Sequence, residues 1–187
     1  MALKEKRRFY MKTLYIGSIN EFSGKGMIAM ALAMRLKAEG YKVGYMKPLG
    51  KCTSSCDGIP EDDDAAMMKE ALGLDDALSD LCPVTMTQDI FIKALRGADL
   101  RLEEKVTSAF RKVSQGKDVM LVEGTDTMYD GTYLDIAPVK IIKLLDAKAI
   151  VLNRYENDVC TDCILTAHNV LRDRMIGTVI NHVPAKA

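Results

Sequence analysis

Short apolar runs and longer mixed stretches alternate along the chain. Thr13-Leu14-Tyr15-Ile16-Gly17-Ser18 is a β-prone run and reads as the first strand. Met27 to Glu39, rich in Ala, Leu and Met, reads as a helix that Gly40 closes. Its Met27, Met30 and Met34 recur at helical spacing and read as core. Lys42 to Lys47 is the second strand, ended by Pro48. Cys52 to Pro60 reads as a loop, and Glu61 to Leu72 as a helix whose Asp62, Asp63 and Asp64 suit the positive end of its dipole. Gln88 to Gln115 reads as largely helical, with a break at Gly97. Asp118 to Val122 is an unbroken apolar strand of the kind buried on both faces. A helix over Asp135 to Leu145, a strand over Lys148 to Asn153, a helix over Asp158 to Arg172 and a strand over Ile176 to Asn181 complete the alternation. Strand–helix alternation with short apolar strands predicts an α/β fold: a doubly wound, mainly parallel sheet with helices on both faces.

The chemistry enters between the first strand and the first helix. A phosphate needs donors, and a helix N-terminus offers free N–H groups and a positive dipole end. Glycine lets the backbone come close, and a lysine at the loop's end reaches the outer phosphates. Asn20-Glu21-Phe22-Ser23-Gly24-Lys25-Gly26-Met27 has this logic and the right placement, so all of these residues are candidate nucleotide contacts. The match to G-x-x-x-x-G-K-[ST] is partial: Gly17 lies too far upstream, and Gly26 stands where a Ser or Thr hydroxyl would hold Mg²⁺. Gly24 to Ala29 also fits the dinucleotide fingerprint G-x-G-x-x-A. Polar residues separate it from the strand, however, and Lys47 rather than an acid ends strand two, which disfavours NAD.

Composition narrows the classes. The 187 residues suit one domain, expected over 12–187 behind a disordered tail at 1–11. Lys plus Arg and Asp plus Glu both number 26, a balance that argues against general nucleic-acid or membrane-surface binding. With no signal-like apolar segment, the expected location is the cytoplasm. Cys52 with Cys56 and Cys160 with Cys163 are a conceivable set of thiolates for a metal, but reduced, small core thiols are the plainer reading of five scattered cysteines. His168 and His182 are isolated and read as ordinary core or surface histidines.

Leu14 to Ser18, then Glu21 to Lys25, then Gly44-Tyr45-Met46-Lys47-Pro48, resemble the start of dethiobiotin synthetase-like proteins. The branch most like it is the BioD-like domain at the N-terminus of phosphotransacetylase-type and DRTGG-domain proteins, within the wider cobyrinic acid diamide synthase and MinD/ParA P-loop group. The resemblance runs from about Met11 to Pro184. It implies ATP and Mg²⁺ as cofactors, with phosphoryl transfer to a carboxylate or carbamate of an unidentified small-molecule acid. It assigns Lys25 to the β- and γ-phosphates, Lys47 to the transferred phosphoryl group, Asp64 and Glu123 to the metal, and Asn181 to the adenine ring. It also implies a homodimer. Thr125 to Gly131 replaces the glycine-rich loop of the synthetases, which counts against dethiobiotin chemistry itself, and Asn20 replaces the extra lysine of the MinD/ParA group. A nucleotide sensor acting on a partner or downstream domain is the competing expectation.

Overall fold

The computed structural model describes residues 11–51, 54–56, 59–157 and 159–185, with the backbone alone for 54–56 and 59–60. Of the expected tail only Met11 is described, packed against the core; residues 1–10, Cys52 and the side chain of Cys56 lie outside what is described.

In chain order the elements are β1 (Lys12–Ser18), α1 (Lys25–Ala38), β2 (Val43–Met46), β3 (Gly50–Lys51), β4 (Ser54–Cys56), β5 (Ile59–Glu61), α2 (Asp63–Leu72), α3 (Leu78–Leu81), β6 (Thr85–Met86), α4 (Gln88–Leu95), α5 (Leu102–Val113), β7 (Val119–Glu123), α6 (Pro138–Leu144), β8 (Lys148–Arg154), α7 (Cys160–Leu171) and β9 (Met175–Asn181). The central sheet has the order β2-β7-β1-β8-β9, and every pairing in it is parallel. This is the expected α/β fold. Neighbouring residues of β1 show both covered faces: Ile16 packs with Ala29 of α1 and Leu152, while Tyr15 enters the larger cluster on the opposite side.

The chain leaves β1 toward β2 on one side and returns from β7 to β8 on the other. β1 is therefore the switch point, where the two halves of an open parallel sheet part and leave a crevice at the carboxyl ends of the strands.

Several boundaries differ from the sequence expectation, each for a local reason. The stretch read as a loop over 52–60 carries the antiparallel pair β4 and β5. Residues 88–115 form two helices that part at Gly97 (φ 74°) as expected, the gap running on to Arg101 (φ 49°). The helix expected from Glu61 begins at Asp63, because Glu61 belongs to β5 and Asp62 is its extended N-cap. The helix expected from Asp135 begins at Pro138, because Asp135 takes a left-handed φ of 56° and proline suits the first helical position. α1 begins two residues early, at Lys25, directly after Gly24.

Candidate functional site

Because all five strands run parallel, the segments after β1, β2, β7 and β9 meet at one edge. That edge gathers the residues singled out from the sequence.

Gly24 is the N-cap of α1 with φ 85°, a left-handed conformation that glycine adopts at low cost. A Cβ there would stand 2.7 Å from Asn181 Nδ2, and that amide donates to the Ser23 carbonyl at 3.1 Å. Asn181, at the end of β9, thus braces the loop and requires glycine beside it. The first N–H groups of α1 open onto the same edge without intrahelical acceptors. Residues 19–23 separate Gly24 from the end of β1, so the dinucleotide arrangement, with glycine directly at the strand end, is not formed.

Lys25 is buried and its Nζ lies 2.7 Å from Glu123 Oε1. The other oxygen of Glu123 accepts from the Tyr45 hydroxyl at 2.8 Å. Burial, then the adjacent Glu123 charge, pushes the Tyr45 phenol well above its ordinary range, so it remains a neutral donor. Glu123 closes β7, which pairs with both β1 and β2; this register brings Lys25, Glu123 and Tyr45 together from three separate segments.

Lys47 follows β2 and is also buried. Its Nζ lies 2.9 Å from the Asp62 carboxylate and 2.6 Å from Asp64 Oδ2. Burial by itself would lower the Lys47 pKa, but the Asp62 charge and the bonds to Asp64 and Asp62 outweigh it and hold the ammonium above its usual range. Asp64 is half-buried. Desolvation opposes its charge, yet Lys47 prevails and holds the carboxyl below its usual range.

Asp62 is the residue that sequence reasoning passed over. It is buried, accepts from Ala65 N at 3.0 Å as the cap of α2, accepts from Lys51 N at 2.9 Å, and pairs with Lys47. One carboxylate thereby fixes a lysine, the end of β3 and the helix that presents Asp64. An Asp three residues before a helical N–H is the signal that could have marked it.

The remaining loop candidates are more dispersed. Asn20 Oδ1 accepts from Arg154 N at 2.9 Å and ties the loop to β8. Phe22 is 81% exposed with a left-handed φ of 55°, and Met27 is 77% exposed. Glu21 faces Lys51 at 3.8 Å. Among the described residues no group of three or more acidic, His or Cys side chains forms a ready metal cage. Cys82 and Cys160 are buried and Cys163 is exposed; burial pushes the Cys82 thiol up to about 12. Beside Lys47 a cleft of ≈ 110 Å³ opens between Lys51, Asp64, Thr125 and Asp126.

Mg²⁺ favours one or two carboxylates together with phosphate oxygens and water. Glu123 and Asp64, on one sheet edge beside a phosphate loop, fit that donor set. Each is held by a lysine, Glu123 by Lys25 and Asp64 by Lys47.

A parallel sheet with this strand order, a glycine-capped loop after its switch strand and a buried lysine–glutamate pair beneath it define a P-loop nucleotide-binding protein. The chain belongs to an AAA-domain family (AAA_26), whose profile it matches over residues 12–187. It is 28% identical over 167 residues to the ATP-dependent dethiobiotin synthetase BioD of Methanococcus vannielii, covering 84% of this chain and 73% of that protein. It is 26% identical over 152 residues to the phosphate acetyltransferase of Pseudomonas aeruginosa, but there 81% of this chain matches only 21% of the relative. In fold it is similar to a plasmid partition protein from Borrelia burgdorferi (TM-score 0.53, 12% identity, 94% of this chain and 84% of that one). The BioD-like P-loop resemblance seen in the sequence therefore holds. No helix among the described residues is long and apolar enough to cross a membrane.

Proposed function

We propose that this protein binds Mg·ATP over the loop at residues 19–26 and transfers the terminal phosphoryl group to a carboxylate or carbamate of a small acid. The observation that carries this reading is the buried Lys25–Glu123 pair at 2.7 Å, set directly under a glycine-capped helix start. Lys25 exchanges Glu123 for the β- and γ-phosphates, and Asn181, already against the loop, borders the base. Glu123 and Asp64 hold Mg²⁺, which when bound offsets charge on the phosphates and orients them. Lys47 neutralises both the acid and the phosphoryl group, so that two anions approach each other. An oxygen of the acid forms the new bond to phosphorus, the bond to the bridging oxygen breaks, and ADP leaves with that electron pair.

ATP with Mg²⁺ raises the melting temperature, since ligand bound to the native state stabilises it in proportion to RT ln(1 + [L]/Kd). Addition of the correct acid then releases ADP, and Lys25→Ala removes both effects. Absence of any nucleotide stabilisation would sink the reading.

A second reading, a nucleotide sensor with little turnover, draws on Gly26. A Cβ at this position would lie 3.4 Å from Glu123 Oε1, so the hydroxyl missing here is one that would have faced the metal carboxylate. Tight ATP binding with no ADP release for any acid favours it. A homodimer, on family resemblance, and a cytoplasmic location complete the proposal; sedimentation and cell fractionation check them.

A further inference from the structure

Lys51 plays no part in the reading above, yet the fold sets it with care. β3 pairs with β6, and the Lys51 N–H donates to buried Asp62 at 2.9 Å, which fixes its Cα beside Lys47. Its ammonium lies at the mouth of the ≈ 110 Å³ cleft, hydrogen-bonded to Asp126 and 3.8 Å from Glu21. Asp126 is fixed as well: Ser18 Oγ, at the end of β1, donates to its carbonyl at 2.7 Å. The beginning of the following loop is tied internally, with Thr125 Oγ1 donating to the Thr127 carbonyl and Thr127 Oγ1 bonded to Asp130 at 3.0 Å. The cleft thus runs from the Lys47 ammonium, where the phosphoryl group arrives, to a Lys51–Asp126 pair that closes it.

We propose that Lys51 determines substrate class: the acid carries a second anionic group, which displaces the Asp126 carboxylate from Lys51 while its reacting carboxylate meets Lys47. This rests on the phosphoryl-transfer reading of the same site. The cleft is also lined by Asp62, which stays bound to Lys47, and by exposed Asp63; its cations are Lys47 and Lys51, and with Asp64 and Glu123 engaged by the metal each offers a partner to one end of a dianion. Asp126, about one-third exposed, is solvated when released, so the exchange costs little. A cleft of this size admits a head group rather than a bulky ring. The substrate is accordingly a slender dianion, its two charges spaced by a short chain.

The test is a thermal-shift series on the full chain with Mg²⁺ and a non-hydrolysable ATP analogue, adding dicarboxylates from succinate to pimelate, the monocarboxylates of equal length and the matching ω-amino acids. At least one dicarboxylate adds a shift beyond that of the nucleotide, and the monoanions and zwitterions do not. Lys51→Ser weakens that dicarboxylate about tenfold or more, the loss of one charge-assisted contact. Asp126→Asn, which removes the competing carboxylate, tightens it; damage to the fold would not. Equal shifts from dianions and monoanions, or a dicarboxylate response unchanged in Lys51→Ser, overturn the proposal. Absence of the nucleotide shift itself would instead count against the P-loop reading, and would take this inference with it.

Discussion

Two clusters of lysine and carboxylate share one sheet edge but are built differently. Lys25 and Glu123 sit on long central elements, and their side chains are 7% and 0% exposed. Lys51 and Asp126 sit on a two-residue strand and a polar loop, 44% and 34% exposed. Lys47 stands between them, buried against Asp62 yet paired with half-exposed Asp64. Burial makes the first cluster costly to break and uniform in what it binds. Exposure makes the second cheap to exchange, which suits a position that selects among substrates.

Breaking the buried cluster has the largest effect. Glu123→Ala leaves the Lys25 ammonium and the Tyr45 hydroxyl buried without their partner, and removing one member of a buried ion pair costs roughly 3–5 kcal/mol. Denaturant unfolding reads this directly, and a loss below about 1 kcal/mol would mean water reaches the pair freely. Next comes Asp62→Ala. It removes the cap of α2 and one of the two Lys47 partners, for roughly 2 kcal/mol. Nucleotide-induced stabilisation falls in both variants. Lys51→Ser, at the exposed cluster, leaves unfolding within about 0.5 kcal/mol of the parent if the contrast holds.

The pH dependence sharpens the middle case. The Lys47 pKa is raised, so its contribution is complete below the ordinary lysine range of about 10.4 and is lost only as pH rises through the higher folded value. The Asp64 pKa is lowered, so its contribution is complete above the ordinary carboxylate range of about 4 and is lost as pH falls through the lower folded value. Between those limits the pair confers constant stability. Urea midpoints against pH show the parent losing stability below about pH 4, and Asp64→Asn losing less over that interval. Identical acid limbs would mean that exposure of Asp64 screens the pair completely.

The same contrast explains what could be read in the sequence. β1, β7 and β8 are legible because strands buried on both faces are continuous apolar runs. Lys25 is marked by its place between a strand and a helix, and Lys47, Asp64 and Glu123 by the family resemblance of the motifs that carry them. Tyr45 is not, since inside an apolar strand it looks like core; only the pairing of Val43–Met46 with Val119–Val122 brings its hydroxyl to Glu123. Asp62 is hidden in a run of three aspartates. β3, β6 and α3 have two, two and four residues, too short for any period to register. Lys51 and Asp126 meet across 75 positions, and no local pattern reports such a pairing.

The smallest change in stability tests the departure at Gly26. It is the second residue of α1, and a Cβ there would meet Glu123 Oε1 at 3.4 Å, an ordinary contact. Gly26→Ser is therefore accommodated, and its better helix propensity adds a few tenths of a kcal/mol. Its hydroxyl would lie beside the carboxylate proposed to hold Mg²⁺, where it would supply an oxygen ligand that glycine lacks. Less Mg²⁺ is then needed to reach half of the full nucleotide-induced thermal shift, by several-fold if the hydroxyl joins the coordination. An unchanged Mg²⁺ requirement would show that Glu123 and Asp64 suffice, and that glycine at this position costs the site nothing.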